Sequence, residues 1–560
     1  MGWTYLDDGR VSTVTLDGVQ LAAVSYDSAG QVSGVAYGPA GAPITTLGSL
    51  TRNAAGAVTG QTWTAGSRTL GQTFTRSQAG RVTRSVATDS AGPAGTVDWS
   101  SSYDSVGRLT SAVLASAGTR PSVTLGYRYE GSGGCGVDPA AGLNGSRTSM
   151  SRRLGTGTPA ESTICPDNAS RVTSVNSSTG GLTVSPATIS YDAHGNLTQL
   201  GTQTWTYDGA DRVSSTTANG ITPSLSVYVR DTLGRVVASG PTGSPTPYGF
   251  TSTDDSPDFQ LTPTNTLRER YVTLPGGVLY TKGYAAPSLT SWAITNLHGD
   301  TIATITGTTV TAGYVYDPFG QPINTSSGAV DLAATPTTRT GTTTDAWHGG
   351  AQRGYEHTSG LNQILMGART YLPELGIFTA TDPIEGGNTT TYTYPQDPIN
   401  GEDLDGRVAK DPSFEGSTIR RKKLKKTRRT KDDGRYYGPT GGLSASEFVR
   451  MASYLSPLVN STRIGNWTLS GGYMTNASVT LDGGKVSLAV GYSSFFGSKP
   501  GAQLMWSPAH KTSSVAASLG ACYRFVCLGV SSGNSVGPGG WMLQVGVSTT
   551  NGAWLSGGAG

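Results

Sequence analysis

Residues 103–110 read Tyr103-Asp-Ser-Val-Gly107-Arg-Leu-Thr110. The aspartate side chain can accept hydrogen bonds from backbone N–H groups two residues further on, and glycine supplies the positive φ that closes a tight turn. The polar–apolar alternation after the glycine is typical of a strand with one buried face. The segment therefore predicts a β-hairpin whose first strand ends in an amphipathic tyrosine ring.

The same frame recurs through the first two thirds of the chain. Further full copies begin at Tyr26, Tyr191 and Tyr316, and partial copies lie at 207–213, 231–236, 52–56, 76–81 and 167–171. A single Asp–Gly turn is weak evidence, whereas a recurring unit decides an architecture. Because isolated two-stranded hairpins are marginally stable in water, we expect the copies to pair side by side in one continuous antiparallel sheet.

The composition is typical of a packed β protein. Gly accounts for 79 of the 560 residues and Pro for 29, charged residues make up 14%, and no Gly-X-Y period is present. No stretch approaches the about 18 consecutive apolar residues of a membrane-spanning helix. The chain opens inside a strand-and-turn pattern, without an apolar signal region, so we expect the repeat array to begin upstream of residue 1.

The four cysteines are too few for a disulfide scaffold, and their spacing fits no zinc pair of the Cys-x-x-Cys type. Cys135 with Cys165, and Cys522 with Cys527, are candidate bridges outside the cell, and free buried thiols are the alternative. No metal and no cofactor is expected.

A basic run at 419–431 holds nine of the 40 Lys and Arg residues, so the rest of the chain has fewer basic residues than its 37 acidic ones. That balance argues against a basic surface over the whole molecule. The run predicts a solvated linker because its like charges repel. Contact with nucleic acid or an anionic membrane, and a protease-accessible site, are the alternatives.

A second set of motifs lies between residues 347 and 406. They are, in order, Ala368-Arg369-Thr-Tyr371-Leu-Pro-Glu-Leu-Gly376-Ile-Phe378, Asp382-Pro383, Tyr392-Thr-Tyr394, Asp397-Pro398-Ile-Asn400 and Asp403-Leu-Asp405-Gly406. Together with the Tyr-Asp repeats they resemble the RHS family, in which YD repeats are followed by an RHS-associated core. That family includes bacterial polymorphic toxins and the C components of insecticidal toxin complexes, and Asp-Leu-Asp-Gly is similar to its actinobacterial form.

The resemblance implies an all-β fold, a long antiparallel sheet of YD hairpins that spirals into a hollow shell. The implied domains are a repeat shell (1–346), a core or plug (347–406), a basic linker (407–433) and a variable effector domain (434–560). It also implies a protein, secreted or on the cell surface, whose shell carries its own C-terminal domain as cargo in bacterial competition or host interaction. An immunity protein is a further implied partner, and the export machinery is not indicated.

In self-cleaving members of the family, two aspartates of the core act as an aspartyl-protease-like pair. The motifs place this pair at Asp382 and Asp403 and the cut near Gly406-Arg407. Two close carboxylates share one proton, so one can act as base toward water while the other acts as acid.

Some positions depart from the family pattern. Leu404 replaces a proline, Arg407 replaces a leucine, and Ile377 stands where a basic residue is usual. The alternative for the aspartates is that Asp382-Pro383 and Asp397-Pro398 only begin turns.

Residues 434–560 predict a small β-sheet with one helix. The helix has capping-box spacing at Ser444 and Glu447 and ends before Pro457. A hairpin over 477–490 and strands near 516–530 and 541–547 follow from apolar–polar alternation.

Candidate effector residues in this region are His510, Asp482 and Glu447, which could serve acid–base chemistry. They are too few for a zinc or two-metal nuclease. A pore-forming, binding or adhesion module is therefore favoured slightly over an enzyme. The competing hypothesis for the whole chain is a structural or adhesive surface protein whose terminal β domain is not toxic.

Overall fold

The computed structural model describes residues 1–91, 96–218, 225–358 and 360–410, and the backbone of eight further strands between 467 and 559. This part of the chain is all-β, as predicted: it contains no α-helix, and its helical turns are short 3-10 segments at Ala141–Asn144, Pro186–Thr188 and Gly349–Ala351. The chain divides into two compact units, Met1–Arg428 and Arg429–Gly560. Within the described ranges no helix is long and apolar enough to cross a membrane.

The first unit begins with a 14-stranded antiparallel sheet in which every strand pairs with its neighbours in sequence. Its strands are β1 (Gly2–Tyr5), β2 (Val11–Leu16), β3 (Val19–Tyr26), β4 (Val32–Tyr37), β5 (Thr45–Arg52), β6 (Val58–Ala65), β7 (Arg68–Arg76), β8 (Val82–Asp89), β9 (Val97–Tyr103), β10 (Leu109–Leu114), β11 (Val123–Arg128), β12 (Ser149–Leu154), β13 (Ala160–Pro166) and β14 (Val172–Asn176). Strictly sequential order is what side-by-side hairpins produce.

A 13-stranded antiparallel sheet follows, again in sequence order. Its strands are β15 (Ile189–Tyr191), β16 (Leu197–Leu200), β17 (Gln203–Tyr207), β18 (Val213–Ala218), β19 (Leu225–Arg230), β20 (Val236–Pro241), β21 (Thr246–Gly249), β22 (Phe259–Leu261), β23 (Leu267–Thr273), β24 (Leu279–Gly283), β25 (Ser291–Thr295), β26 (Thr301–Thr306) and β27 (Thr309–Ala312).

The repeats thus form two long open sheets rather than the single continuous sheet predicted. The ladder breaks between β14 and β15, where Ser185 caps the 3-10 turn that starts at Pro186. Proline has no N–H to donate to a strand ladder, which accounts for the interruption.

Each YD copy closes the same five-residue turn. In the copy at Tyr103, the N–H of Asp104 donates to the Arg108 carbonyl and the N–H of Gly107 donates to the Asp104 carbonyl, both at 3.0 Å. Asp104 Oδ1 accepts the N–H groups of Val106 and Arg108 at 3.1 and 2.9 Å, and Gly107 has a φ of 90°. The predicted hairpin chemistry is therefore confirmed.

The same pair of backbone hydrogen bonds recurs in turns beginning at Leu6, Asp27, Asn53, Ser77, Asp167, Asp192, Asp208, Asp231, Thr262, Leu274, Asn296 and Asp317. The sequence frame missed the turns at Thr262, Leu274 and Asn296. These turns lack aspartate in the first position. Of the sequence frame, they keep only a residue of positive φ in the fourth position.

Tyrosine and arginine side chains link successive hairpins. The Tyr103 hydroxyl donates to the carbonyl of Val82, the first residue of β8, at 2.7 Å, and the Arg81 guanidinium lies 5.9 Å from the Tyr103 ring. The same pair of contacts occurs at Tyr26 with Val11 and Arg10, and at Tyr191 with Val172 and Arg171. In these three repeats, the tyrosine and arginine therefore couple one hairpin to the preceding one.

Within the first unit, an apolar core joins β2–β7 of the first sheet to β23–β26 of the second. Trp63, Tyr37 and Ile294 are fully buried in it, and the Tyr37 hydroxyl donates to the Pro275 carbonyl at 2.5 Å. A cavity of about 930 Å³ is lined by residues of both sheets and of the segment that follows them.

That following segment contains a five-stranded sheet formed by β28 (Thr343–Asp345), β29 (Gly354–Glu356), β30 (Gln363–Met366), β31 (Arg369–Leu372) and β32 (Ile377–Phe378). Its core is aromatic and includes the buried rings of Trp347, Tyr371 and Tyr394. The segment reaches both long sheets, because the Tyr392 hydroxyl donates to the Gly195 carbonyl and Asn400 Oδ1 accepts the Val82 N–H.

Cys135 and Cys165 form a disulfide, one of the two bridges predicted. In the second unit, backbone pairing places Cys522 directly opposite Cys527, and a bridge between them stays a prediction.

The second unit is an eight-stranded antiparallel sheet that closes on itself, since its first strand pairs with its last. Its strands are β33 (Trp467–Gly471), β34 (Thr475–Asp482), β35 (Lys485–Ser494), β36 (Ala502–Pro508), β37 (Val515–Tyr523), β38 (Val526–Ser532), β39 (Trp541–Ser548) and β40 (Trp554–Ala559). The predicted hairpin over 477–490 is confirmed as β34–β35. The predicted helix at 444–455 lies outside the described residues.

Candidate functional site

The structure brings Asp382 and Asp403 together around one arginine. Arg369, the first residue of β31, directs Nη2 at Oδ2 of both aspartates, at 3.0 Å each. Asn388 Nδ2 contacts the same two oxygens, at 3.1 Å for Asp382 and 2.7 Å for Asp403. All three charged side chains are buried, with exposed fractions of 1% for Arg369, 6% for Asp382 and 0% for Asp403.

The chain that follows Asp403 folds back over this cluster. The Gly406 carbonyl accepts a hydrogen bond from Arg369 Nε at 2.7 Å. The Arg407 N–H donates to Asp403 Oδ1 at 2.8 Å, and the Val408 N–H donates to the same oxygen at 3.1 Å. Both ends of the Gly406–Arg407 peptide bond are therefore held by the cluster.

Close packing at Gly387 keeps this segment in place. The N–H of Ala409 donates to the Gly387 carbonyl at 2.8 Å. A Cβ at position 387 would lie 2.0 Å from the Arg407 carbonyl oxygen and 3.0 Å from Asp382 Oδ2. Only glycine leaves room for the backbone to lie this close to the aspartates.

Burial sets the electrostatics of Asp403. It raises the pKa of Asp403, while the Asn388 hydrogen bond and the charge of Arg369 oppose that rise. A carboxyl group whose pKa is raised keeps its proton at higher pH than an ordinary aspartate. The cluster therefore places a carboxyl group that binds a proton more readily than an ordinary aspartate beside a guanidinium that points at a peptide carbonyl.

Comparison with known proteins identifies the repeat. Residues 191–222 match the family described as RHS Repeat. The tRNA3(Ser)-specific nuclease WapA of Bacillus spizizenii is 27% identical over 230 residues, which are 40% of this chain and 9% of that protein. The tRNA nuclease WapA of Bacillus subtilis is 28% identical over 231 residues, with the same coverage. This chain contains an RHS repeat.

Similarity of fold to a solved structure extends well beyond the matched repeat. A crystal structure of TcdB2-TccC3-TEV aligns with 72% of this RHS-repeat chain and 20% of its own chain, with a TM-score of 0.51 and 16% identity. The region shared with the WapA relatives spans only about a tenth of their length. At 16% identity, the likeness to the crystal structure is one of fold alone.

Sequence reasoning selected the two aspartates but missed their partners. Arg369 stands inside a core motif and Asn388 lies between two of them, yet no role was assigned to either, because their contacts with Asp403 span 34 and 15 residues. Spacing along the chain does not reveal a contact of that kind. Asp397, the aspartate of the other Asp-Pro pair, lies elsewhere and pairs with Arg81 at 3.0 Å.

Asp403 is also tied to a second polar group through its backbone. Its N–H donates to the Tyr394 hydroxyl at 3.2 Å, and that hydroxyl is 2.9 Å from His348 Nε2. The aromatic core of the five-stranded sheet thereby fixes the position of Asp403.

Of the three candidate effector residues, the described part of the chain includes only the backbone of Asp482, so their role stays a prediction. Asp482 ends β34, where it pairs with Lys485 across the turn. His510, Glu447 and the basic run at 419–431 lie outside the described residues.

Proposed function

We propose that this RHS-repeat protein carries a C-terminal effector and releases it by hydrolysing its own Gly406–Arg407 bond. One observation carries the proposal: Arg369 holds the carbonyl oxygen of this bond and Asp403 holds its N–H. Secretion or surface display, with action in bacterial competition or on a host, belongs to the same proposal.

The chemistry would be acid–base hydrolysis. Asp382 takes a proton from a water molecule that attacks the Gly406 carbonyl carbon. Arg369 Nε–H stabilises the negative charge that develops on the carbonyl oxygen. Protonated Asp403 then gives its proton to the Arg407 nitrogen as the C–N bond breaks, leaving a carboxyl group on Gly406 and an amino group on Arg407.

Two further observations support a toxin-like carrier. The relatives from Bacillus are named tRNA nucleases, which makes a toxic C-terminal domain the leading candidate for the cargo. The Cys135–Cys165 disulfide favours a protein that works in an oxidising compartment, as a secreted or surface protein does. The effector itself is proposed as a separate module, either a nuclease or a non-enzymatic binding or pore-forming domain.

Intact mass spectrometry of the purified chain tests the cleavage. We expect two fragments that separate at Gly406–Arg407, and a single full-length species from Asp403→Asn and from Asp382→Asn. An amide cannot supply or take the proton in this mechanism. A full-length unmutated protein at mildly acidic and neutral pH would refute the mechanism.

Asp397→Asn is the matched control. Asp397 also precedes a proline, lies in the same core and pairs with an arginine, and burial raises its pKa too. Its side chain contacts Arg81 and Asn400 rather than the Gly406–Arg407 bond, so this variant should still cleave. Asp405 is a poorer control because its Oδ1 also accepts the Arg407 N–H, at 3.1 Å.

Growth measurements test the cargo. Bacteria that produce residues 407–560 in the cytoplasm or periplasm should grow more slowly than bacteria that produce residues 1–406. A coexpressed immunity protein should restore growth. Unimpaired growth in both compartments would favour the structural or adhesive surface protein instead.

A further inference from the structure

Three potential metal ligands from separate parts of the first unit meet beside the cavity. His298 and Asp300 lie in the turn between β25 and β26, and His348 follows β28. One ligand atom of each lies within 4.8 Å of the others, and His298 Nδ1 is 2.9 Å from Asp300 Oδ1. Asp300 is 7% exposed and His348 is 1% exposed, so the cluster is built into the interior.

The turn that supplies two of these groups departs from the repeat. In a YD turn such as that at Asp104, the acid is the first residue and the fifth is a basic or amide residue that pairs with it. The turn at Asn296 reverses this arrangement: its first residue is the amide, which donates to Oδ2 of the fifth residue, Asp300, at 2.9 Å. Asp300 therefore places a carboxylate at the fifth position of the turn, where none of the other turns named above has an acidic residue.

Surrounding groups orient the remaining ligand. His348 Nε2 is 2.9 Å from the Tyr394 hydroxyl, and the backbone N–H of His348 donates to Asp300 Oδ1 at 3.1 Å. His348 also holds a left-handed φ of 53°. A strained backbone at a non-glycine residue persists where the surroundings impose it and is frequent at functional sites. Hydrogen bonds to the outer atoms of a ligand are what orient it toward a metal.

We infer that His298, Asp300 and His348 bind one divalent transition-metal ion of the zinc class. Two imidazole nitrogens and one carboxylate oxygen suit Zn²⁺, whose ligands lie at about 2.0–2.2 Å and therefore about 3–3.4 Å from one another. His298 and Asp300 also line the cavity. The ion joins the β25–β26 hairpin of the second sheet to the core segment.

This arrangement predicts binding that also stabilises the fold. An ion that binds only the folded chain raises its stability, by an amount set by the ratio of free ion to Kd. The two histidines are 50 positions apart in the sequence, so the bound ion closes a long loop of the chain. Zn²⁺ in large excess over its Kd should raise the unfolding temperature of the first unit by about 3 °C or more.

The test uses the full chain, stripped with a chelator and then dialysed against Zn²⁺ or Co²⁺ alone. We expect one Zn²⁺ per chain by elemental mass spectrometry, a visible Co²⁺ absorption band, and the thermal shift. His348→Ala and His298→Ala should each lose the ion and the shift.

His194→Ala is the matched control. His194 Nδ1 lies 2.7 Å from Asp211 Oδ1, an exposed histidine–aspartate pair without a third ligand, so this variant should bind the ion as the unmutated chain does. The inference would be overturned if His348→Ala bound the ion as well as the unmutated chain does. It would also be overturned if the unmutated protein showed no bound metal, no absorption band and no thermal shift. If an alanine variant does not fold, the stoichiometry and spectrum of the unmutated chain decide.

Discussion

The YD hairpins and the core segment differ in how far apart their determinants lie. In the hairpin at Tyr103, the aspartate, glycine and arginine that fix the turn stand within five residues of one another. Around Asp403 the partners come from positions 369, 382, 388 and 407. A repeat whose determinants are local forms a hairpin wherever it is copied. The core segment, by contrast, needs the whole first unit to be folded before its buried charges are compensated. The first region should therefore tolerate substitutions that the second does not.

The largest difference should appear when one arginine is removed from each region. Arg369→Met leaves two buried carboxylates without their cation, which costs about 3–5 kcal/mol of unfolding free energy and abolishes cleavage. Arg108→Met removes an ion pair whose side chains are about 20% exposed, which costs about 1 kcal/mol or less. Urea unfolding followed by tryptophan fluorescence compares the two. Equal losses of unfolding free energy in the two variants would show that the core segment depends no more on distant contacts than a repeat does.

A comparison of two glycines separates cleavage from stability. Gly387→Ala places a methyl group against the Arg407 carbonyl, so we expect the Gly406–Arg407 bond to shift and cleavage to slow by about 100-fold. Gly80 has a φ of 87° and open space around its Cβ position, so Gly80→Ala should cost about 1 kcal/mol of backbone strain and leave cleavage unchanged. Time courses of fragment formation measure both variants. Normal cleavage in Gly387→Ala would show that the close packing at position 387 is not needed for hydrolysis of the Gly406–Arg407 bond.

The pH dependence of cleavage sharpens the role assigned to Asp403. Burial raises its pKa, and the mechanism needs its protonated form, so cleavage should speed up as the pH falls toward that pKa. Above it the protonated fraction, and with it the rate constant, should fall about tenfold per pH unit. Precursor made by cell-free translation and incubated over a pH series gives the profile. A rate that rises with pH would assign Asp403 the role of base instead.

The same contrast explains what could be predicted from the sequence. The hairpins, their order and the Asp–Gly turn chemistry follow from residues that are neighbours in the chain, and they were found. The turn at Asn296 was missed because its acid stands in the fifth position, and the approach of His298 to His348 depends on packing between the second sheet and the core. Asp382 and Asp403 were found only through the family motif, and the arginine between them was not. Contacts between residues that lie this far apart in the sequence can be identified only from the folded structure.

The smallest effect is expected within a single repeat. Asp104→Ala removes the acceptor of the Val106 and Arg108 N–H groups, which should cost about 1–2 kcal/mol locally. Hydrogen exchange at residues 103–110 should therefore speed up by about tenfold or more, without change at the neighbouring turns. Asp104→Asn keeps that oxygen acceptor and loses only the partly exposed ion pair with Arg108, so its exchange should change by less than about fivefold. If acceleration in Asp104→Ala spreads across several repeats, the tyrosine and arginine contacts between hairpins, rather than the turn itself, set the stability of the sheet.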